Sequence, residues 1–301
     1  MAVIIILIIV LLQQTQNSDS DPAAPLETAV VVGDIVVEFS PADGTIINQW
    51  SLLDLLDPYK IGFDSFGGFW NTTFPELEQG TRDWAHGNAV IHDPSDNSII
   101  ASLRHQDAVV KFSRETGQIV WILGTHDNWD PVQFGSFLLN PVGDDFLFQY
   151  HQHAPEIMDE GTIVLYDDGN YKATPFDPKL PATENFSRAV EYSINEDTKE
   201  VTQVWEFGEF DDPVRYAPFI GDADTQPLTG NVLITHGGVT TDAEGIPSDS
   251  IPTSKTSVYL IEVTHTTPGE KVFELSIVDT TPETANGWTT YRSERLPSLY
   301  P

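Results

Sequence analysis

The stretch DWAHGNAVIHDPSDNSIIASLRHQDAVVKFSRETGQIVWILG, Asp83–Gly124, decides how the rest of the chain is read. His86 stands just ahead of an apolar run, Asp93-Pro94-Ser95-Asp96-Asn97 supplies a turn, and a second run ends at Arg104-His105. Two further runs, Ala108–Phe112 and Gln118–Ile122, are joined by Glu115-Thr116-Gly117. Apolar and β-branched residues in short runs, punctuated by Asp, Asn, Pro and Gly, predict strands joined by tight turns. Four such strands in succession describe one blade of a β-propeller.

The unit recurs. Hairpins of the same design are DIVVEFSPADGTIINQW (34–50), AVVKFSRETGQIVW (108–121), RAVEYSINEDTKEVTQVW (188–205) and VYLIEVTHTTPGEKVFEL (258–275). Trp50, Trp121 and Trp205 close three of them at spacings of 71 and 84 residues. Common propeller repeats run to about 40–50 residues, so the loops here must carry insertions. Further strand pairs, His86–Arg104, His153–Asp168 and Asp222–His236, precede the last three hairpins. Their second strands begin NSIIAS, GTIVLY and GNVLIT. Ser51–Tyr59 reads as a short helix or turn stopped by Pro58, Ile61–Gly80 as an irregular insertion, and Trp288–Tyr300 as a trailing segment. With no long helical period anywhere, the expected fold is an all-β propeller over residues 28–301.

Composition narrows the function classes. The chain has 301 residues, 40% of them hydrophobic, enough to bury a sizeable core. Its 46 acidic and 14 basic residues give a formal net charge of −32, a field that repels nucleic acid and anionic membrane surfaces. An anionic substrate would therefore need local positive charge. Cysteine is absent from the sequence, which excludes disulfides, thiol catalysis and thiolate metal sites. Ala2–Leu12 is an 11-residue apolar run, too short to span a bilayer as a helix. Followed by the polar Gln13–Pro25, it suits a signal-peptide core and points to export, although no Lys or Arg precedes it. A buried strand is the alternative. Residues 1–27 are thus set apart from the propeller as a signal segment or truncation remnant with its linker, and stable membrane insertion is not expected.

The chemistry is sought among the histidines. In a propeller the inner strands of separate blades line one channel, so residues at their ends converge. Superposing the units puts His86 and His153 at equivalent starts, and His105, Asp168 and His236 at equivalent ends of the second strand. A lone histidine beside a strand is more often structural, and His92, His126 and His265 are read as surface residues. The coincidence of positions singles out His86, His153 and His236. Three histidines can hold Zn²⁺, and His151 and His153 alternate on one face of a strand. No HExxH or other close-spaced pair supports such a site, and neither metal nor cofactor is assigned. A neutral imidazole acting as nucleophile in sulfuryl or phosphoryl transfer is the other option. Its anion-stabilising donors would come from histidines, Lys172, Arg104, Arg188, Asn88 and threonine hydroxyls, with Gly237 and Gly238 leaving space beside His236.

These residues also carry a resemblance. LLDLLDPYK, DWAHGNAV, DPSDNSIIASLRHQDAVVKFSRETGQIVWILG, QYHQH, SRAVEYSI, VWEFGE and WTTYRSERLPSLY resemble the bacterial-type arylsulfate sulfotransferases, which use no nucleotide sulfate donor. The resemblance covers about residues 30–301. It implies a six-bladed propeller and a ping-pong transfer from an aryl sulfate through a sulfohistidine to a phenolic acceptor. It implies His236, in ITHGG, as the nucleophile, and His86, Asn88, His153 and Thr289 as sulfate-binding residues. His105, Tyr291 and Arg292 join Arg104 and Arg188 as secondary candidates. The family's arginine-bearing DNGDGR-like turn reads Asp167-Asp168-Gly169-Asn170-Tyr171-Lys172 here, so Lys172 would supply the charge without a bidentate fork. A homodimer is implied as well. Three complete units and two partial ones fall short of six blades, so either the propeller is incomplete or N-terminally truncated, or the N-terminal segment and Ile61–Gly80 supply further strands. Two other classes stay open: a non-catalytic extracellular binding propeller, and a metal-dependent propeller hydrolase or lactonase.

Overall fold

The computed structural model describes residues 2–16, 18–66, 69–73, 75, 81–280 and 287–296, with 2–16 and 252 described by backbone alone. The chain divides into two compact units. The first comprises Met1–Asn140, Ala173–Lys179 and Asn195–Glu200, and the second Pro141–Lys172, Leu180–Ile194 and Val201–Pro301.

In the first unit, β1 (Ala2–Gln16) runs antiparallel to β2 (Leu26–Phe39), which pairs on its other side with β3 (Ile46–Ser51). One turn of helix, α1 (Leu52–Leu55), follows, and its Leu52 and Leu53 are buried. The short β4 (Thr81–Asp83) lies parallel to β2, and the structure places Asp83 at its end. The opening stretch then forms β5 (Gly87–Asp93), β6 (Ser98–Leu103), β7 (Ala108–Ser113) and β8 (Ile119–Gly124), an antiparallel meander in sequence order. Its first turn is closed by Asp93, whose Oδ1 accepts from the Ser95 backbone N–H at 2.9 Å, and by Asn97 at φ 61°. Asp and Asn tolerate such turns because their short side chains bond the local backbone. All six residues of β6 are buried, so the strand is covered on both faces, and its polar residues are the two small serines Ser98 and Ser102. The sequence reading carried this strand to His105; it ends at Leu103 instead. Arg104–Gln106 tightens into a 3₁₀ turn capped by Asp107 in the left-handed region. Trp50, Leu52, Leu53, Leu56, Trp84, Ile99, Phe112 and Ile122 share one apolar core in this unit.

The second unit holds two sheets. In one, β9 (Asn140–Val142) lies at the edge of β10 (His153–Ile157), β11 (Ile163–Asp167), β12 (Arg188–Asn195) and β13 (Glu200–Phe207), in the order β10-β11-β12-β13-β9. The other is β14 (Gly221–Thr225), β15 (Val232–Thr241), β16 (Lys255–Val263) and β17 (Lys271–Ile277), again in sequence order. Burial grades across it: β15 is almost wholly buried and β17 exposed at every residue. Val164 and Tyr166 of β11 share a core with Ala223, Ile234 and Ile261. Each hairpin expected from the sequence is present. The fold is all-β: β5–β8 and β14–β17 are four-stranded antiparallel meanders of the propeller-blade type, β10–β13 is a third with β9 added beside β13, and the first sheet carries β4 parallel to β2. Ile61–Gly80 is turns and a 3₁₀ segment, Phe69–Thr72, as far as it is described, residues 67, 68, 74 and 76–80 lying outside the described ones.

His236 departs from expectation. It was read as the last residue of a strand, but β15 continues to Thr241 through a register shift between His236 and Val239. The physical reason is Gly237-Gly238: a Cβ at 237 would stand 2.0 Å from the Thr290 carbonyl oxygen, and one at 238 would meet Phe219 at 2.8 Å. Bare backbone there admits both neighbours and lets the strand bulge.

Candidate active site

His86 and Asn88 lie in the first unit. His86 takes a left-handed φ of 49° just before β5, which swings its ring back toward β4. There Asp83 Oδ2 stands 2.5 Å from His86 Nδ1, and Asp83 Oδ1 accepts from the Trp70 indole at 2.9 Å. His105 donates Nδ1–H to the Asp83 carbonyl oxygen at 2.6 Å, and its ring lies 4.8 Å from that of His86. Burial alone would raise the Asp83 pKa; the His86 hydrogen bond and the two imidazoles together hold it below the ordinary carboxylate range. Asp34 is pushed up to about 7 by burial and by the charge of Asp83, despite the Gly87 N–H it accepts. Arg104 is buried, its guanidinium 3.5 Å from Asp64.

Donor atoms of Asp83, His86 and His105 lie within 4.8 Å of one another, a spacing that invites a metal reading. Two ligands on one tetrahedral Zn²⁺ stand about 3.3 Å apart. The 2.5 Å between Asp83 Oδ2 and His86 Nδ1 is that of a hydrogen bond. Asp83 therefore engages both imidazoles, His86 Nδ1 through its carboxylate and His105 Nδ1 through its backbone carbonyl.

The remaining candidates lie in the second unit. His153 opens β10 with Nδ1 3.1 and 3.2 Å from the two oxygens of Asp168, a wholly buried carboxylate. His236 is 1% exposed, and its Nδ1 lies 2.8 Å from the Tyr166 hydroxyl. Burial foremost, then the positive charges of Arg215 and Lys271, lowers the His236 pKa to about 3. The imidazole is thus uncharged at any ordinary pH, the form a nucleophile needs.

Residues 287–296 cross β15 as an extended strap. Thr290 N–H donates to the Gly237 carbonyl oxygen at 3.1 Å, and Trp288 N–H reaches the Thr256 carbonyl at 3.1 Å. Ser293 meets Thr235 at 2.5 Å, Arg292 lies 4.0 Å from Asp222, and Arg295 pairs with Glu262. Thr289 is carried on this strap and exposed, and the Tyr291 ring lies edge-on to His153 at 5.7 Å. The strap thereby brings Tyr291 to His153 and lays its backbone beside His236.

Two candidates have other engagements. The Lys172 ammonium sits 2.7 Å from the centroid of Phe186, and burial lowers its pKa to about 8. Arg188 is fully buried, donating to Asp167 at 2.9 Å, to Gln203 at 3.2 Å and to the Leu147 carbonyl at 2.9 Å. Such a guanidinium holds β11, β12 and β13 together. Sequence reasoning missed the roles of Asp83 and Tyr166 altogether and took Asp168 only as a positional equivalent. A carboxylate three residues before His86 was a readable signal, but nothing local marks Tyr166, which is 70 residues from His236.

Comparison with known proteins gives the family of the chain. The chain is 36% identical over 232 residues to the arylsulfate sulfotransferase AssT of Escherichia coli O6:H1, covering 65% of this chain and 38% of that protein. It is 30% identical over 214 residues to the arylsulfate sulfotransferase AssT of Lelliottia amnigena, covering 59% and 35%. The chain thus spans little more than a third of the length of the curated relatives it matches. A solved structure, Kuenenia stuttgartiensis hydrazine synthase, is similar at a TM-score of 0.38 and 11% identity, over 91% of this chain and 67% of that one. The arylsulfotransferase family model matches residues 8–292, from within β1 to Arg292 of the strap, and the chain belongs to that family.

Proposed function

We propose that this chain transfers a sulfuryl group from an aryl sulfate ester to a phenol by a ping-pong route through a sulfohistidine on His236. The observation that carries the reading is the state of that imidazole: buried, uncharged, hydrogen-bonded through Nδ1 to a phenol. Family membership supports the same chemistry. His86, Asn88, His153, Lys172 and Thr289 are assigned to binding the sulfate, with Arg104, His105, Tyr291 and Arg292 supporting them. Such local donors are what an anionic substrate needs against a net charge of −32. Asp83 and Asp168 hold the Nδ1 atoms of His86 and His153 by hydrogen bonds and so fix the two rings. Lys172 would have to swing off Phe186 to reach a sulfate. Export is part of the reading and is argued from the apolar run Ala2–Leu12, which in the fold pairs with β2 as β1, the strand alternative; cell fractionation tests it.

The test of the reaction is phenolate release from p-nitrophenyl sulfate with a phenol as acceptor and no nucleotide present. Wild-type protein is expected to turn over and His236→Ala to be inactive. Mass spectrometry after donor alone should find one added sulfuryl group, about 80 Da, on His236. Equal rates in the two proteins would remove His236 as nucleophile. Absence of release from wild type would favour a binding module instead.

A further inference from the structure

The histidines singled out above have different groups behind them. His86 and His153 each turn Nδ1 to a buried carboxylate, Asp83 at 2.5 Å and Asp168 at 3.1 Å. His236 turns Nδ1 to a phenol, the Tyr166 hydroxyl at 2.8 Å. A carboxylate and a neutral hydroxyl are chemically different partners for a ring nitrogen: the ionised carboxylate only accepts, and the hydroxyl carries no charge. The backbone is shaped to allow the exchange. Strand register sets Gly221 opposite His236, and a Cβ at 221 would stand 2.2 Å from the Tyr166 ring. The bare backbone at 221 is what admits the tyrosine, with the two rings at 5.6 Å and 74°.

We infer that Tyr166 is a positioning residue that fixes the tautomer of His236, accepting the Nδ1–H and leaving the Nε2 lone pair to attack sulfur. The inference rests on the sulfuryl-transfer reading and goes beyond it by naming the reacting nitrogen and what selects it. In the step, the Nε2 lone pair forms the N–S bond while the bond from sulfur to the aryl oxygen breaks. Its electron pair leaves on that oxygen as phenolate. The ring keeps its Nδ1 proton and becomes an N-sulfonated imidazolium, whose positive charge is offset by the negative sulfuryl oxygens. An incoming phenolate then takes the sulfuryl group, and the N–S pair returns to Nε2.

The proton on Nδ1 matters because a protonated ring leaves as neutral imidazole, whereas a deprotonated one would leave as imidazolide. Burial foremost, with the charge of Asp168, holds the Tyr166 hydroxyl protonated far above the ordinary phenol range. As a neutral hydroxyl it is no sink for a proton on Nδ1. The other charges facing this pair are themselves partnered. Arg215 is bound to Asp211 and Glu274, Lys271 to Asp211, and Asp167 to Arg188.

The experiment is ¹⁵N–¹H correlation of histidine-labelled full chain, wild type and Tyr166→Phe. His236 is expected with Nδ1 protonated and Nε2 bare in wild type, and as a mixture of tautomers in Tyr166→Phe. Wild-type protein with the proton on Nε2 overturns the inference, whether or not the chain has activity. In parallel, single-turnover labelling by p-nitrophenyl sulfate should slow roughly 10²-fold in Tyr166→Phe with KM changed less than twofold, and the wild-type adduct should sit on Nε2. An unchanged rate in Tyr166→Phe, or an adduct on Nδ1, also overturns it. A wild type that shows the Nδ1–H tautomer but takes no label supports the tautomer assignment and sinks the sulfuryl-transfer reading. Should Tyr166→Phe fail to fold, the wild-type spectrum and adduct position decide the question.

Discussion

At the scale of single residues, the histidines are told apart by what stands behind them. With burial lowering the His236 pKa to about 3, the proposed nucleophile is not lost to protonation as pH falls through the ordinary histidine range. In donor labelling, the limb assigned to His236 should therefore be absent between pH 7 and pH 5, which a pH series of single-turnover rates measures. Its stability effect has a definite sign. The unfolded chain takes up a proton near pH 6.5 and the folded one only near pH 3, so this histidine destabilises the fold progressively as pH falls across that interval. Asp34 acts oppositely. Raised to about 7 in the fold, it binds a proton that the unfolded chain has lost near pH 4. Its contribution is complete below that pH and disappears as pH rises through 7. Asp34→Asn, which mimics the protonated form and can still accept from Gly87, should unfold at a higher temperature than wild type at pH 8. The difference should vanish near pH 4; calorimetry across that range checks it.

At the scale of elements, the hairpins were legible because a strand's period and its turn residues are local properties. The turn at Asp93–Asn97 and the paired strands around it follow from side chains within a few residues of one another. Strand ends were less legible. The 3₁₀ turn at Arg104 answers to hydrogen bonds from Arg104 and His105 N–H to the His86 and Ala85 carbonyls, and the bulge at His236 answers to Thr290. The strap yields a prediction at this scale. Gly237→Ala would place a methyl group 2.0 Å from the Thr290 carbonyl, so residues 287–296 must lift. Phenolate release should fall at least about tenfold, the loss expected when a supporting segment is displaced by an ångström. Limited proteolysis should open the strap while circular dichroism stays that of the β-rich fold. A second element-level contact is the Lys111 ammonium on β7, held by Asp93, Asp96 and Glu196 at 2.7–2.9 Å. Lys111→Met leaves three carboxylates facing one another. Because Asp96 and Glu196 are partly solvated, the loss should be about 2 kcal/mol rather than the 3–5 of a fully buried pair, read as a lower urea midpoint.

At the scale of the whole molecule, the excess of acidic residues dominates. With 46 of them against 14 basic ones, repulsion opposes folding and salt relieves it. The Debye length shortens from about 10 Å at 0.1 M to about 3 Å at 1 M. Thermal unfolding should accordingly move upward between those concentrations of NaCl, and a flat response would show that the acidic groups are too dispersed to repel. By itself the sequence determined the all-β class, the four hairpins, the family and the histidines worth attention, because each is carried by local pattern or by direct similarity. Only the tertiary structure decided what each histidine is bonded to. Asp83 is 3 residues from His86, but Asp168 is 15 from His153 and Tyr166 is 70 from His236. A hydrogen-bond partner that arrives from another strand leaves no mark in the local pattern.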